Sequence, residues 1–128
     1  MNEPYWLTLK ECQALHDLMM SDYGGLPGVR DQGMLESAMA KPLQLFSYGN
    51  PSLVDLAAAY TAGIVKNHPF LDGNKRTGFM MGAGFLERNG YIFTATEEDA
   101  VLRTLALAAS EMTESAFAAW LEANSHPA

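Results

Sequence analysis

His68, Asp72, Asn74, Lys75 and Arg76 fall within nine positions, around Gly73, in the stretch His68-Pro69-Phe70-Leu71-Asp72-Gly73-Asn74-Lys75-Arg76-Thr77. Each type suits one part of a transfer to or from a phosphate. A neutral imidazole takes the proton of an attacking hydroxyl. One carboxylate is enough to hold magnesium, which draws its other ligands from water and substrate phosphates. Glycine lets the backbone come close to an anion, and a helix starting near Lys75 adds unpaired N–H groups and the positive end of its dipole. Lysine and arginine then neutralise phosphate oxygens, one as a point charge and one as a planar fork.

His68, Asp72, Lys75 and Arg76 are therefore the candidate catalytic residues, with Asp72 also the candidate metal ligand. Gly73, Asn74, Lys75 and Arg76 form the candidate phosphate cradle, and Lys66 joins the cationic spot. Phe70 is expected to turn inward and anchor the loop. Alone, a histidine at a helix end reads as a cap and Asp-Gly as a turn. No turn needs all of these chemistries together, and the set is what phosphoryl or nucleotidyl transfer requires. A P-loop is excluded, since Lys75 is followed by arginine and no apolar strand leads into Gly73.

The elements that position the loop read as helices. Thr8 and Glu11 form a capping box, and Leu9, Cys12, Leu15 and Met19 recur at helical spacing, giving a helix over about 9–22. Gly24 to Gly33 carries four glycines and a proline and reads as an irregular loop, in which Arg30 and Asp31 are candidates to fold over a ligand. A short helix near 33–40 is expected to stop at Pro42, with 46–51 as a connection. Ser52 caps a helix running to about Asn67, whose alanine-rich middle suggests a central, closely packed position.

A further helix is expected from about Lys75 to Asn89. Gly78, Gly82 and Gly84 inside it imply close approach of a neighbouring backbone, because each costs on the order of 1 kcal/mol of helix stability against alanine. After a short extended piece over 91–94, Thr96 opens a helix with Val101, Leu102, Leu105, Ala108 and Ala109 as its expected buried face. A last helix from about Glu114 uses Phe117, Trp120 and Leu121 and is expected to fray over Asn124 to Pro127. The expected architecture is all-α, about six helices in one domain over 1–128, with a glycine-rich flap loop.

Length, charge and cysteine count agree with an intracellular enzyme. The chain has 128 residues, long enough for a core without disulfides, and one cysteine, Cys12. Its net charge of -7 argues against nucleic acid as the main partner. No leader and no membrane-spanning run are seen, so a soluble, cytoplasmic protein is expected. His16 and His126 suggest no metal site, and the eight methionines read as core filler.

The string HPFLDGNKRTG resembles the signature of the Fic/Doc family, His-x-Phe-x-Asp/Glu-Gly-Asn-Gly-Arg-x-x-Arg, and its lysine after asparagine is closest to the Doc toxins of toxin–antitoxin systems. Tyr23 to Gly28 with Asp31 and Gly33 resembles the family's substrate flap, and Phe85-Leu86 with Asn89-Gly90 its motif helix. The resemblance implies that ATP and Mg2+ are used. It makes His68 the base on a target hydroxyl and Asp72 the magnesium ligand. Asn74 and the Gly73 amide would cradle phosphate, and Lys75 and Arg76 would neutralise charge. Lys75 in place of glycine and Phe79 in place of the second arginine imply transfer of the γ-phosphate, as in Doc, rather than AMP transfer as in Fic. A non-catalytic helical binding module is a third reading. The resemblance further implies elongation factor Tu as target, with arrest of translation. The self-restraining Ser/Thr-x-x-x-Glu-Gly/Asn motif is matched neither at Thr94 to Asp99 nor at Ser110 to Ser115, so a separate Phd-like antitoxin is expected.

Overall fold

The computed structural model describes residues 3–128. Five helices open on a side chain that accepts the N–H three residues on, satisfying one of the unpaired donors every helix start exposes. Thr8 caps α1 (Leu9–Tyr23), Asp31 caps α2 (Gln32–Tyr48) and Ser52 caps α3 (Leu53–Asn67). The helix that follows the motif, α4 (Asn74–Arg88), opens on Gly73 and has no side-chain cap. After β1 (Tyr91–Phe93), Thr96 caps α5 (Glu97–Ala108), Thr113 caps α6 (Glu114–Ala123), and the chain closes with β2 (Ser125–Pro127). The expected six-helix, all-α architecture is what forms, with a two-stranded ribbon added.

Helix α3 is the axis of the bundle, packed by α2, α4 and α6, and every residue from Leu56 to Val65 is buried. Its small side chains admit backbones at close range. A Cβ on Gly82 of α4 would lie 2.8 Å from the carbonyl oxygen of Ala57 and one on Gly78 would lie 2.9 Å from Val65. These contacts account for Gly78 and Gly82 and fix the gap that the motif loop spans, whereas Gly84 has no backbone near it, only the Leu7 side chain at 3.8 Å. Phe70, Phe85, Tyr60 and Phe117 fill the core around α3, each at most 1% exposed. Among the described residues, no helix is long and apolar enough to cross a membrane.

Three local expectations are corrected. Helix α2 does not stop at Pro42 but runs on to Tyr48. Proline lacks the N–H that would pair with the carbonyl of Ala38, and bare Gly63 of α3 packs against that carbonyl, with 3.0 Å from its oxygen to where a Cβ would stand. The tail does not fray. Phe93 pairs with Ser125 and Tyr91 with Pro127, and the ribbon is closed by Thr94 N–H to Asn124 and Ala128 N–H to Gly90, each 2.7 Å.

The buried face of α5 is Ala100, Thr104 and Leu107, whereas Val101, Leu102 and Leu105 are 52%, 65% and 45% exposed. The Trp120 indole donates to Asp99 at 2.7 Å and sets the helix's rotation, and small Ala100 and Thr104 let it lie close to the core.

Candidate active site

The motif loop starts at the end of α3, where His68 takes the left-handed conformation (φ 54°, ψ 51°) and its N–H closes the helix on Ile64. A side chain in that region costs on the order of 1 kcal/mol, which the surrounding bonds hold in place. Asn74, 3% exposed, is the clamp. Its Oδ1 accepts from Phe70 N–H at 2.9 Å and its Nδ2 donates to the Phe70 carbonyl at 3.0 Å. With the amide fixed this way, Nδ2 also faces His68 Nδ1 at 3.2 Å, so the neutral imidazole at rest carries its proton on Nε2.

The glycine-rich segment is knitted to this loop. Val29 bridges Phe70, Leu71 N–H donates to the Gly28 carbonyl at 3.1 Å, and the N–H groups of Arg30 and Asp31 both donate to the Pro69 carbonyl. The Arg30 guanidinium donates to the carbonyls of His68 (2.7 Å) and Asn67 (3.0 Å), satisfying the open C-terminal end of α3. The other wall is α1. His16 donates from Nε2 to the Asp72 carbonyl at 2.8 Å, and Tyr23 lies under the Arg76 guanidinium, 4.3 Å from it. The Asp72 carboxylate accepts from Gly73 N–H (2.8 Å) and from Leu26 N–H (3.2 Å).

Beside the loop lies a cavity of about 670 Å³. One end is polar, made by Asp72, Gly73, Lys75 and Arg76, and the other is mostly apolar, made by Phe79 and Phe93 with Val101 and Leu105 of α5, while Thr96, Glu97 and Thr104 also enter the lining. Asp72, Gly73, Lys75 and Arg76 are thus brought together as the sequence suggested. His68 is exposed on the same loop but does not line this cavity.

Three expected contributions to the site find their side chains engaged elsewhere in this structure. Lys66 lies in a separate hollow with Lys41, where its Nζ donates to Ser110, because it is still on α3 whereas His68 has left the helix in the left-handed conformation. Asn74 spends its amide on the loop's own backbone rather than offering it to an anion. Arg30 and Asp31 spend their side chains on the end of α3 and the start of α2, and do not fold over the site.

His16 and Tyr23 are site residues that the motif did not reveal. A usable signal existed for His16, since it stands four residues after buried Cys12 and three before buried Met19, on the inner stripe of α1. Among the described residues, no three His, Cys, Asp or Glu side chains gather as a metal cage. Two exposed carboxylates line the cavity, Asp72 and Glu97, and Asp72, on the motif loop with Lys75 and Arg76, fits magnesium carried in with phosphates rather than a resident ion.

The Fic/DOC family model matches residues 6–86. The chain is 36% identical over 85 residues to a protein of Escherichia phage P1 named protein kinase doc, covering 66% of this chain and 68% of that one. It is 44% identical over 71 residues to toxin Doc of Mycolicibacterium smegmatis, covering 53% of this chain and 54% of the relative.

Proposed function

This chain belongs to the Fic/DOC family, and on that premise we propose that it is a Doc-like toxin that transfers the γ-phosphate of ATP to a hydroxyl of a protein. The observation that carries the reading is the placement of Asp72, Gly73, Lys75 and Arg76 in one cavity, at the start of the one helix without a side-chain cap, with His68 exposed on the same loop. The N–H groups that open α4, two cations and the Asp72 carboxylate, which the Gly73 N–H already faces, suit a triphosphate and its magnesium. The volume and apolar far end suit its nucleoside.

In the proposed reaction His68 removes the proton of the target hydroxyl as its oxygen attacks the γ-phosphorus. The bond from phosphorus to the bridging oxygen breaks, and ADP leaves with that electron pair. Lys75 and Arg76 neutralise the charge on the phosphates, and Tyr23 stacks on Arg76 to hold its fork. To accept a proton at Nε2, the ring must first move its resting proton to Nδ1 and so give up the long contact to Asn74. Magnesium would be held by Asp72 together with the phosphates and would supply positive charge that neutralises the phosphate oxygens.

Lys75 places a long cation where a glycine would leave the cradle open, which favours ATP lying with its γ-phosphate toward His68. The proposed target is elongation factor Tu, in the cytoplasm, with translation arrest as the outcome. A Phd-like antitoxin would restrain the enzyme by covering the cavity, whose border carries the exposed Val101 and Leu105. The test is the intact mass of elongation factor Tu after incubation with the chain and magnesium-ATP. A gain of roughly 80 Da is expected. A gain of roughly 329 Da would mean AMP transfer, and no gain on any protein hydroxyl would leave a binding module.

A further inference from the structure

His16 has no place in the chemistry above, yet it holds the loop at one particular peptide. The ring is 1% exposed, and its Nε2–H donates to the carbonyl oxygen of Asp72 at 2.8 Å. Phe70 lies flat against it, ring centres 3.8 Å apart and planes 6° apart, which denies the imidazole room to swing. A carbonyl only accepts, so this nitrogen carries its proton.

That carbonyl belongs to the peptide joining Asp72 to Gly73, whose other end is the Gly73 N–H. The two groups of a trans peptide point in opposite directions. Holding the carbonyl toward α1 turns the N–H toward the cavity side, where it donates to the Asp72 carboxylate at 2.8 Å. An Asp-Gly peptide is one that turns over easily. Rotation by about half a turn changes mainly ψ of the first residue and φ of the second, and glycine accepts either sign of φ. Gly73 stands at φ 75°. Turned over, the same peptide would aim a carbonyl oxygen at the phosphates and repel them.

We propose that His16 is a positioning residue that locks the 72–73 peptide with its N–H facing the phosphate cradle. The donated bond also polarises the peptide and makes Gly73 N–H a stronger donor. This inference rests on the phosphate site proposed above, and its test has a readout that needs no nucleotide.

His16→Phe keeps a ring to stack on Phe70 and removes the donor. His16→Gln and His16→Met are matched in length, one with an N–H and one without, and carry the same comparison should the phenylalanine variant not fold. In the nucleotide-free protein, the Gly73 amide is expected to exchange roughly five- to tenfold faster in the Phe and Met variants, with Gln close to wild type. Amides of α3 should exchange as before. Calorimetry with magnesium-ATP should show a similar loss of affinity in Phe and Met and its partial rescue in Gln. Equal Gly73 exchange in all four proteins, or a loss shared by Gln and Met, would overturn the inference and make His16 a core residue. If wild type itself fails to bind magnesium-ATP, the proposed function falls, while the Gly73 exchange still decides what His16 does.

Discussion

The two ends of the cavity are built on different principles. At the polar end, direction matters, and Asp72 and Arg76 are held by named contacts. Asp72 is held by three, from His16, Leu26 and Gly73, and Arg76 rests on Tyr23. At the apolar end, Phe79 meets Phe93 at 5.7 Å and Phe93 meets Trp120 at 5.4 Å, so position is set mainly by packing, with the Trp120–Asp99 hydrogen bond fixing the rotation of α5. The family match stops at residue 86, which leaves Phe93 and all of α5 outside it. The hydrogen-bonded groups thus lie within the family match, and part of the apolar lining lies beyond it.

The contrast can be broken most severely at the polar end. His68→Ala should lower phosphate transfer about 10³-fold, read as the loss of added mass on the target, with no drop in melting temperature. Next comes the α3–α4 contact that spans the loop. Gly82→Ala would drive a Cβ into Thr61 and the immobile Ala57 carbonyl, and should cost about 2 kcal/mol in urea unfolding. A neutral result would mean that α4 has room to slide and that the loop is not held by its helices.

Glu11→Gln tests a smaller tie. Glu11 completes the α1 capping box and pairs with Arg88 of α4, and the Arg88 hydrogen bond, followed by that from Thr8, holds its pKa down to about 2. A lowered folded-state pKa contributes stability that is fully present above the ordinary value of 4.5 and is lost as pH falls through about 2. Wild type should lose stability over that window more steeply than Glu11→Gln, which should already be weaker by about 1 kcal/mol at pH 7. The smallest effect is expected at the apolar border. Leu102→Asp, next to cavity-lining Val101 but itself outside the lining and 65% exposed, should shift stability by no more than about 0.5 kcal/mol and leave phosphate transfer intact. It should weaken capture of a Phd-like partner in a pull-down, and unchanged capture would place the antitoxin elsewhere.

What the sequence made legible was local. The caps Thr8, Ser52 and Thr96 mark helix starts in their own residues, and the motif carries its groups in one run. What escaped was decided by distant partners. Pro42 reads as a stop until Gly63 arrives beside Ala38, and α5 has a plausible apolar stripe on the wrong side until Trp120 takes hold of Asp99, 21 positions away. The strands of the ribbon are three residues each, too short for an alternating pattern. His16 acts on a carbonyl 56 residues further along, and Asn74 looks like a ligand group until its amide is seen spent on Phe70. Lys66 misleads for the opposite reason, since nearness in sequence placed it with His68, which has left the helix that Lys66 is still on.

The clamp formed by Asn74 across Phe70 to His68 has an evolutionary consequence. Two helices locked at a fixed gap hold the ends of a span whose middle is measured off by one asparagine. Such a span tolerates exchange of one side chain for another, lysine for glycine at position 75 included, and so can acquire a different reaction by single substitutions. It does not tolerate insertion or deletion between 68 and 74, since one residue more or fewer takes the amide off Phe70 and the imidazole with it. Descendants of this loop should differ in letters and agree in length.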